Sequence, residues 1–189
     1  MSRDQSKHDG AKKIALFLRG INLGRRRLKK DELMRPFEDE GFAGVQTFIA
    51  SGNVVIDDPG MAADMLEYRV EAAVRRAFGF EADAFARSLD ALHELVDVDA
   101  ISVARDEGLT PHVILLKAAP RQNALDALRQ LETADDRFPV LGREVLWLRR
   151  GRLTDSTVEA RHLERALGGA PNTMRKATTL ERMVAKFGN

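Results

Sequence analysis

Six cations crowd one short stretch, LRGINLGRRRLKK over residues 18–30: Arg19, Arg25, Arg26, Arg27, Lys29 and Lys30. Between the first of them and the rest lie Gly20, Asn22 and Gly24. Glycines let a turn aim successive backbone N–H groups at one point, and arginine forks match the oxygens of a phosphate or carboxylate. An apolar run precedes the turn and an amphipathic pattern follows it. That is the layout of an anion site, in which a strand ends, a glycine turn opens and a helix starts. The stretch is neither a P-loop nor a dinucleotide fingerprint, because it lacks the Lys-Ser/Thr pair of the one and the third glycine of the other. The competing reading is a solvated, self-repelling loop held by Asn22 hydrogen bonds.

A second polar turn, Ser51-Gly52-Asn53, sits between two β-rich runs. Ser51 has no histidine or lysine beside it in the chain, and no G-x-S-x-G elbow exists. The four histidines, His8, His93, His112 and His162, make no H-x-x-H or H-E-x-x-H pattern, so no metal site is called for. There are no cysteines, which removes disulfides, thiolate ligands and thiol catalysis. No cofactor motif appears. The acidic pairs Asp57-Asp58, Asp97 with Asp99, and Asp135-Asp136 fall at element ends, where capping and solvated turns explain them better than acid–base catalysis. Arg149, Arg150 and Arg152 form a second basic cluster.

The elements that must position these residues follow from periodicity. KIALFLR (13–19) is a continuous apolar run, as in a central strand. DELMRPFEDEGF (31–42) puts Leu33, Met34 and Phe37 on one helical stripe and ends at Gly41, with Pro36 starting or kinking the helix. GVQTFIASGNVVIDD (44–58) is a hairpin in which Gly52 and Asn53 supply positive φ. Asp58 and Pro59 form an N-cap and first turn for a helix running to about Phe78, with Leu66, Val70, Ala73, Val74 and Ala77 inward. EADAFAR (81–87) is a fourth strand, and Ser88 caps a short helix. The order β-α-β-β-α-β is the ferredoxin-like plan. It requires the first and third strands to be central, and they are the most continuously apolar.

The order recurs: strand 112–117, helix 120–132, a hairpin over 137–149 turning at Gly142-Arg143, helix 156–169 with a Ser156–Glu159 capping box, strand 172–177, and a final helix to about Phe187 with a Thr178–Glu181 box. The expected fold is therefore α+β, with duplicated ferredoxin-like subdomains over 13–104 and 105–189, divided in the polar segment 102–111, and mainly antiparallel sheets. Residues 1–12 lack an apolar core segment and read as a disordered tail. The chain has 189 residues, 44% hydrophobic and 31% charged, with a net charge of +1, so any basic feature is local. No apolar run approaches the ~20 residues of a membrane helix, and the expectation is a cytoplasmic protein without membrane contact. Sheet-face RNA readout needs exposed aromatics on central strands, and only Phe17 and Trp147 are offered. Backbone-dominated nucleic-acid binding through the basic loops stays open.

Three stretches resemble the bacterial family known as domain of unknown function 1697. LRGINLG (18–24) is similar to that family's opening Arg-Gly-Ile-Asn-Val-Gly, and TFIASGNVVID (47–57) to its Tyr-Ile-Gln-Ser-Gly-Asn-Val hairpin; FARSLDAL (85–92) is also familial. Of its C-terminal Thr-x-Arg-Asn-Trp run, Thr173 and Arg175 are kept, while Lys176 and Ala177 replace Asn and Trp. Arg25 stands where a second glycine is common. The resemblance implies a cytoplasmic α+β protein with duplicated subdomains. It supplies a location, not an activity: Arg19, Gly20, Asn22, Gly24, Ser51, Gly52, Asn53, Thr173 and Arg175. The antiparallel topology brings Arg19 and the Ser51 turn to the same end of the first sheet. Three readings stay open. One is a binding module for a phosphorylated or anionic ligand, nucleic-acid backbone included, with Arg25, Arg26, Arg27, Lys29 and Lys30 as electrostatic help. Another is an enzyme of unannounced class using the same cluster. The last is a polar lock with no ligand. The oligomeric state is not legible.

Overall fold

The computed structural model describes residues 11–22, 28–49 and 52–188. Residues 1–10 of the expected tail lie outside them. The chain groups into two compact units, Met1–Leu92 with Met183–Asn189, and His93–Arg182. It is an α+β protein with two antiparallel sheets. Among the described residues no helix is long and apolar enough to cross a membrane.

In the first unit the strands are β1 (Lys13–Arg19), β2 (Gln46–Thr47), β3 (Asn53–Asp57) and β4 (Asp83–Ser88), with α1 (Lys30–Asp39), α2 (Ala63–Phe78) and the start of α3 (Leu89–Val96). The sheet order is β2-β3-β1-β4, so the two continuous apolar runs are the central strands. Period-two alternation sends Leu16, Leu18, Val54, Ile56, Ala84 and Ala86 to one face, where Leu33 and Phe37 of α1 and Leu66, Val70 and Val74 of α2 cover them. The other face, with Phe17, Asn53, Val55 and Phe85, is also buried. Helix α1 ends in a Schellman motif: Phe42 N–H donates to Phe37 O at 3.1 Å and Gly41 N–H to Glu38 O at 2.9 Å, with Gly41 at φ +82.

Edge strand β4 would leave N–H groups without strand partners. Helix α2 supplies acceptors. Ala86 N–H donates to Glu67 Oε1 at 2.8 Å and Ala84 N–H to Glu71 Oε1 at 2.9 Å. Glu67 is 3% exposed, a buried carboxylate with a structural task.

The second unit holds α4 (Asp99–Asp106), β5 (Leu109–Leu116), α5 (Gln122–Gln130), β6 (Asp136–Arg137), β7 (Val140–Leu141), β8 (Glu144–Arg150), a 3-10 turn (Leu153–Asp155), α6 (Ala160–Ala166), β9 (Asn172–Lys176) and most of α7 (Ala177–Phe187). The sheet order is β6-β8-β5-β9, with β7 also on β8. Ile114, Leu116, Val145 and Trp147 pack against Leu128 of α5 and Leu163 of α6. Residues 102–111 carry the end of α4 and the start of β5.

Several local expectations are corrected. Pro36 does not start α1, which begins at Lys30. Asp58 does not cap α2: its Oδ1 accepts Gly60 N–H at 2.8 Å in a turn, and the helix begins at Ala63 after extended Ala62. Ala77 is exposed, and Phe78 packs against the core in the last turn instead. Asn53 is an extended strand residue, and the positive φ at the hairpin belongs to Gly52 (+96) and Ile49 (+57). Ser156 does not start α6, whose N-cap is Glu159. The Ser156 hydroxyl donates to Asp136 and accepts Val158 N–H at 2.9 Å, while α6 is boxed by Glu159 and His162. Helix α7 starts at Ala177, so Thr178 and Glu181 lie within it, and Glu181 pairs with Arg105.

Candidate functional site

Arg19 is the last residue of β1, paired across the sheet with Asp83, and its side chain is exposed. Gly20 follows at φ +90, and a Cβ there would meet Glu81 O at 3.3 Å, so the position demands glycine. Ile21, 3% exposed, anchors the turn in the core. Asn22 Oδ1 accepts Leu28 N–H at 2.9 Å and so ties the two ends of the basic loop together. Gly24, Arg25, Arg26 and Arg27, between those ends, lie outside the described residues. Lys29 and Lys30 are exposed. Lys29 N–H donates to Glu32 Oε2 at 2.7 Å, and Asp31 and Glu32 occupy the first turn of α1. Carboxylates therefore already neutralise that helix's positive end. Anion binding at this helix start is therefore disfavoured.

The hairpin turn reaches the same end of the sheet. Phe17 pairs with Asn53, and Leu18 N–H donates to Gly52 O at 2.6 Å. Asn53 is 2% exposed; its Nδ2 donates to Phe48 O at 3.3 Å, and its carbonyl accepts Phe48 N–H at 2.9 Å. Ile49, beside this lock, holds a left-handed backbone that a β-branched residue rarely adopts, while its side chain is 44% exposed. Ser51 lies outside the described residues. Arg19, Gly20, Asn22, Gly52 and Asn53 thus share one end of the first sheet. Their groups are one guanidinium, two amides and glycine backbone. The guanidinium is exposed, whereas Asn53 is buried and Asn22 Oδ1 and Asn53 Nδ2 are bonded within the turns.

Thr173 and Arg175 belong to the second unit, on β9 opposite Leu115 and Val113 of β5. Arg175 Nη1 donates to Thr173 Oγ1 and to Met174 O, both at 2.8 Å. Desolvation lowers the Arg175 guanidinium to about 10, which leaves it charged at neutral pH.

The second basic cluster is engaged by acids. Arg149, 6% exposed, pairs with Asp136 at 2.7 Å; Arg150 meets Asp135 at 3.5 Å and donates to Glu107 O at 2.9 Å; Arg152 meets Asp155 at 3.4 Å. Each cation has a local counter-charge, which leaves little for a polyanion. Asp136 is the opposite of a solvated turn residue. It is fully buried and also accepts Trp147 Nε1 at 2.7 Å, Thr133 Oγ1 at 3.0 Å and Ser156 Oγ at 3.3 Å. The signal was present in the alternation of Val145, Trp147 and Arg149. An arginine on the inward parity of a strand needs a buried acid. His112 faces Trp147 across the β5–β8 pair with ring centroids 6.4 Å apart, and burial lowers its pKa. Among the described residues no three His, Cys, Asp or Glu side chains gather as a metal cage.

The architecture and the matched glycine turns define a class, a two-sheet α+β protein with a signature hairpin and loop at one end of the first sheet. The model of the family described as "Protein of unknown function (DUF1697)" matches residues 11–146, and the chain belongs to that family. The conserved bacterial protein SP0830 from Streptococcus pneumoniae has the same fold, with a TM-score of 0.73 and 20% identity over 93% of this chain and 98% of that one. No curated protein matches.

Proposed function

We propose that the protein is a binding module for a phosphorylated or otherwise anionic ligand, held at the end of the first sheet by Arg19 and the turns around Gly20 and Gly52. One observation carries the reading. The Leu18–Gly52 backbone bond fixes two glycine turns side by side at the point where β1 delivers an exposed arginine. Asn22 and Asn53 hold those turns from within, so binding needs little reordering of the backbone. Arg25, Arg26, Arg27, Lys29 and Lys30, next in the chain, add long-range attraction. We read the chain as duplicated ferredoxin-like subdomains, 13–104 and 105–189, in a cytoplasmic protein. The matching strand orders β2-β3-β1-β4 and β6-β8-β5-β9 support that reading.

A thermal-shift screen of the full chain against nucleotides, sugar phosphates and short DNA or RNA tests it. At least one such anion raises Tm saturably, and Arg19→Ala removes the shift. A polyanion that binds with steep salt dependence would mark nucleic-acid backbone as the ligand class. The polar-lock reading has its own support in the Asn22–Leu28 and Asn53–Phe48 bonds. It predicts that any shift in Tm an anion produces is the same in Arg19→Ala as in the parent.

A further inference from the structure

The second unit repeats, at β5, the backbone arrangement that frames Arg19. Leu116 N–H donates to Arg143 O at 3.0 Å, with Leu115 opposite Glu144, as Leu18 N–H donates to Gly52 O with Phe17 opposite Asn53. By this register Lys117 holds the place of Arg19, the cation that leaves the central strand. The loop that follows is short, 117–121, and α5 starts at once. It leaves a cleft of about 400 Å³ between this loop and the end of α6. That volume lies in the ~300–1,000 Å³ range of small-molecule sites. Leu116, Pro120, Leu167 and Pro171 give it apolar walls, and Lys117 and Arg121 give it two cations. Among the described residues lining it there is no acidic side chain. A mainly apolar cleft whose charged groups are both cationic selects for a molecule with an apolar body and one acidic group.

We infer that this cleft is a second ligand site, for a small organic acid or phosphate monoester, formed by Lys117, Arg121 and the apolar walls and independent of Arg19. It does not rest on the reading of the first sheet.

Phenyl phosphate is the probe, followed on the full chain by calorimetry and by amide shifts of Lys117–Ala124. Saturable binding is expected. Lys117→Ala and Arg121→Ala each weaken Kd about tenfold, the worth of one charge-assisted hydrogen bond. Ala119→Trp, on the exposed loop lining the cleft, fills the space and abolishes binding while the melting curve stays that of the parent. Arg19→Ala leaves Kd unchanged. Phenol and inorganic phosphate each bind more weakly than phenyl phosphate. The inference is overturned if phenyl phosphate fails to bind at about 10 mM, if Ala119→Trp binds it like the parent, or if inorganic phosphate alone binds equally well.

Discussion

Replacing Asp136 with asparagine tests the packing logic of the second unit most sharply. The side chain is fully buried and takes hydrogen bonds from Trp147 Nε1 and Arg149 Nη1 at 2.7 Å, Thr133 Oγ1 at 3.0 Å and Ser156 Oγ at 3.3 Å. Arg149 is itself buried, its Nε lacks a hydrogen-bond partner, and among the described residues the acid it pairs with is Asp136. Asparagine keeps the volume but leaves the guanidinium uncompensated and presents an N–H₂ group to donors. Breaking one partner of a buried pair costs about 3–5 kcal/mol, a large share of the ~5–15 kcal/mol that holds a domain together. The assay is guanidinium unfolding followed by Trp147, the only tryptophan, which sits inside the network. The expected midpoint falls steeply, and native emission shifts as the indole N–H loses its acceptor. Asp136→Leu with Arg149→Met should recover most of the loss, because replacing both partners by apolar groups is close to neutral. A change of Asp136→Asn within ~0.5 kcal/mol, the scale of ordinary surface substitutions, would refute the assignment of this network as a structural centre.

Three further outcomes follow from named contacts. Asn22→Ala removes the acceptor of Leu28 N–H and should cost about 1–3 kcal/mol, read as a lower urea midpoint with β1 amides unchanged. Glu67→Ala orphans the buried Ala86 N–H and should cost a similar ~1–3 kcal/mol, with faster hydrogen exchange at Ala86 and Ala84 than elsewhere in the sheet. His112 is kept neutral by burial, so the unfolded chain binds its proton first as pH falls below the ordinary value of 6.5. Stability should therefore decline on acidification from about 6.5 until the lowered native pKa is reached, and His112→Phe should flatten that part of the Tm–pH curve.

The strand order was legible because apolar continuity marks a strand covered on both faces: KIALFLR and NVVID read as central, and they are central. Helix starts were less legible. Asp58, Ser156 and Thr178 have the residue types of caps, yet each local donor or acceptor found another use, in a turn, on Asp136 or inside a helix. The co-location of the Arg19 and Gly52 turns followed from antiparallel topology alone, and the Leu18–Gly52 bond gives it atoms. Asp136 was missed because neighbouring acids near a turn look solvated until strand parity is read for the partner, Arg149. Glu67 was missed for a related reason. An acid on the inward stripe of an amphipathic helix looks like noise unless an edge strand nearby needs acceptors.

The most direct measurement is a titration of ¹⁵N-labelled full chain with a phosphate-bearing ligand drawn from the screen, following the Arg19 Nε–H and the Gly20 and Gly52 amides. Binding at the end of the first sheet predicts that these three signals move together and saturate, and that they cease to move in Arg19→Ala whether or not Lys117 and its neighbours respond. Signals that drift without saturating, or that respond identically in Arg19→Ala, would contradict the proposed site.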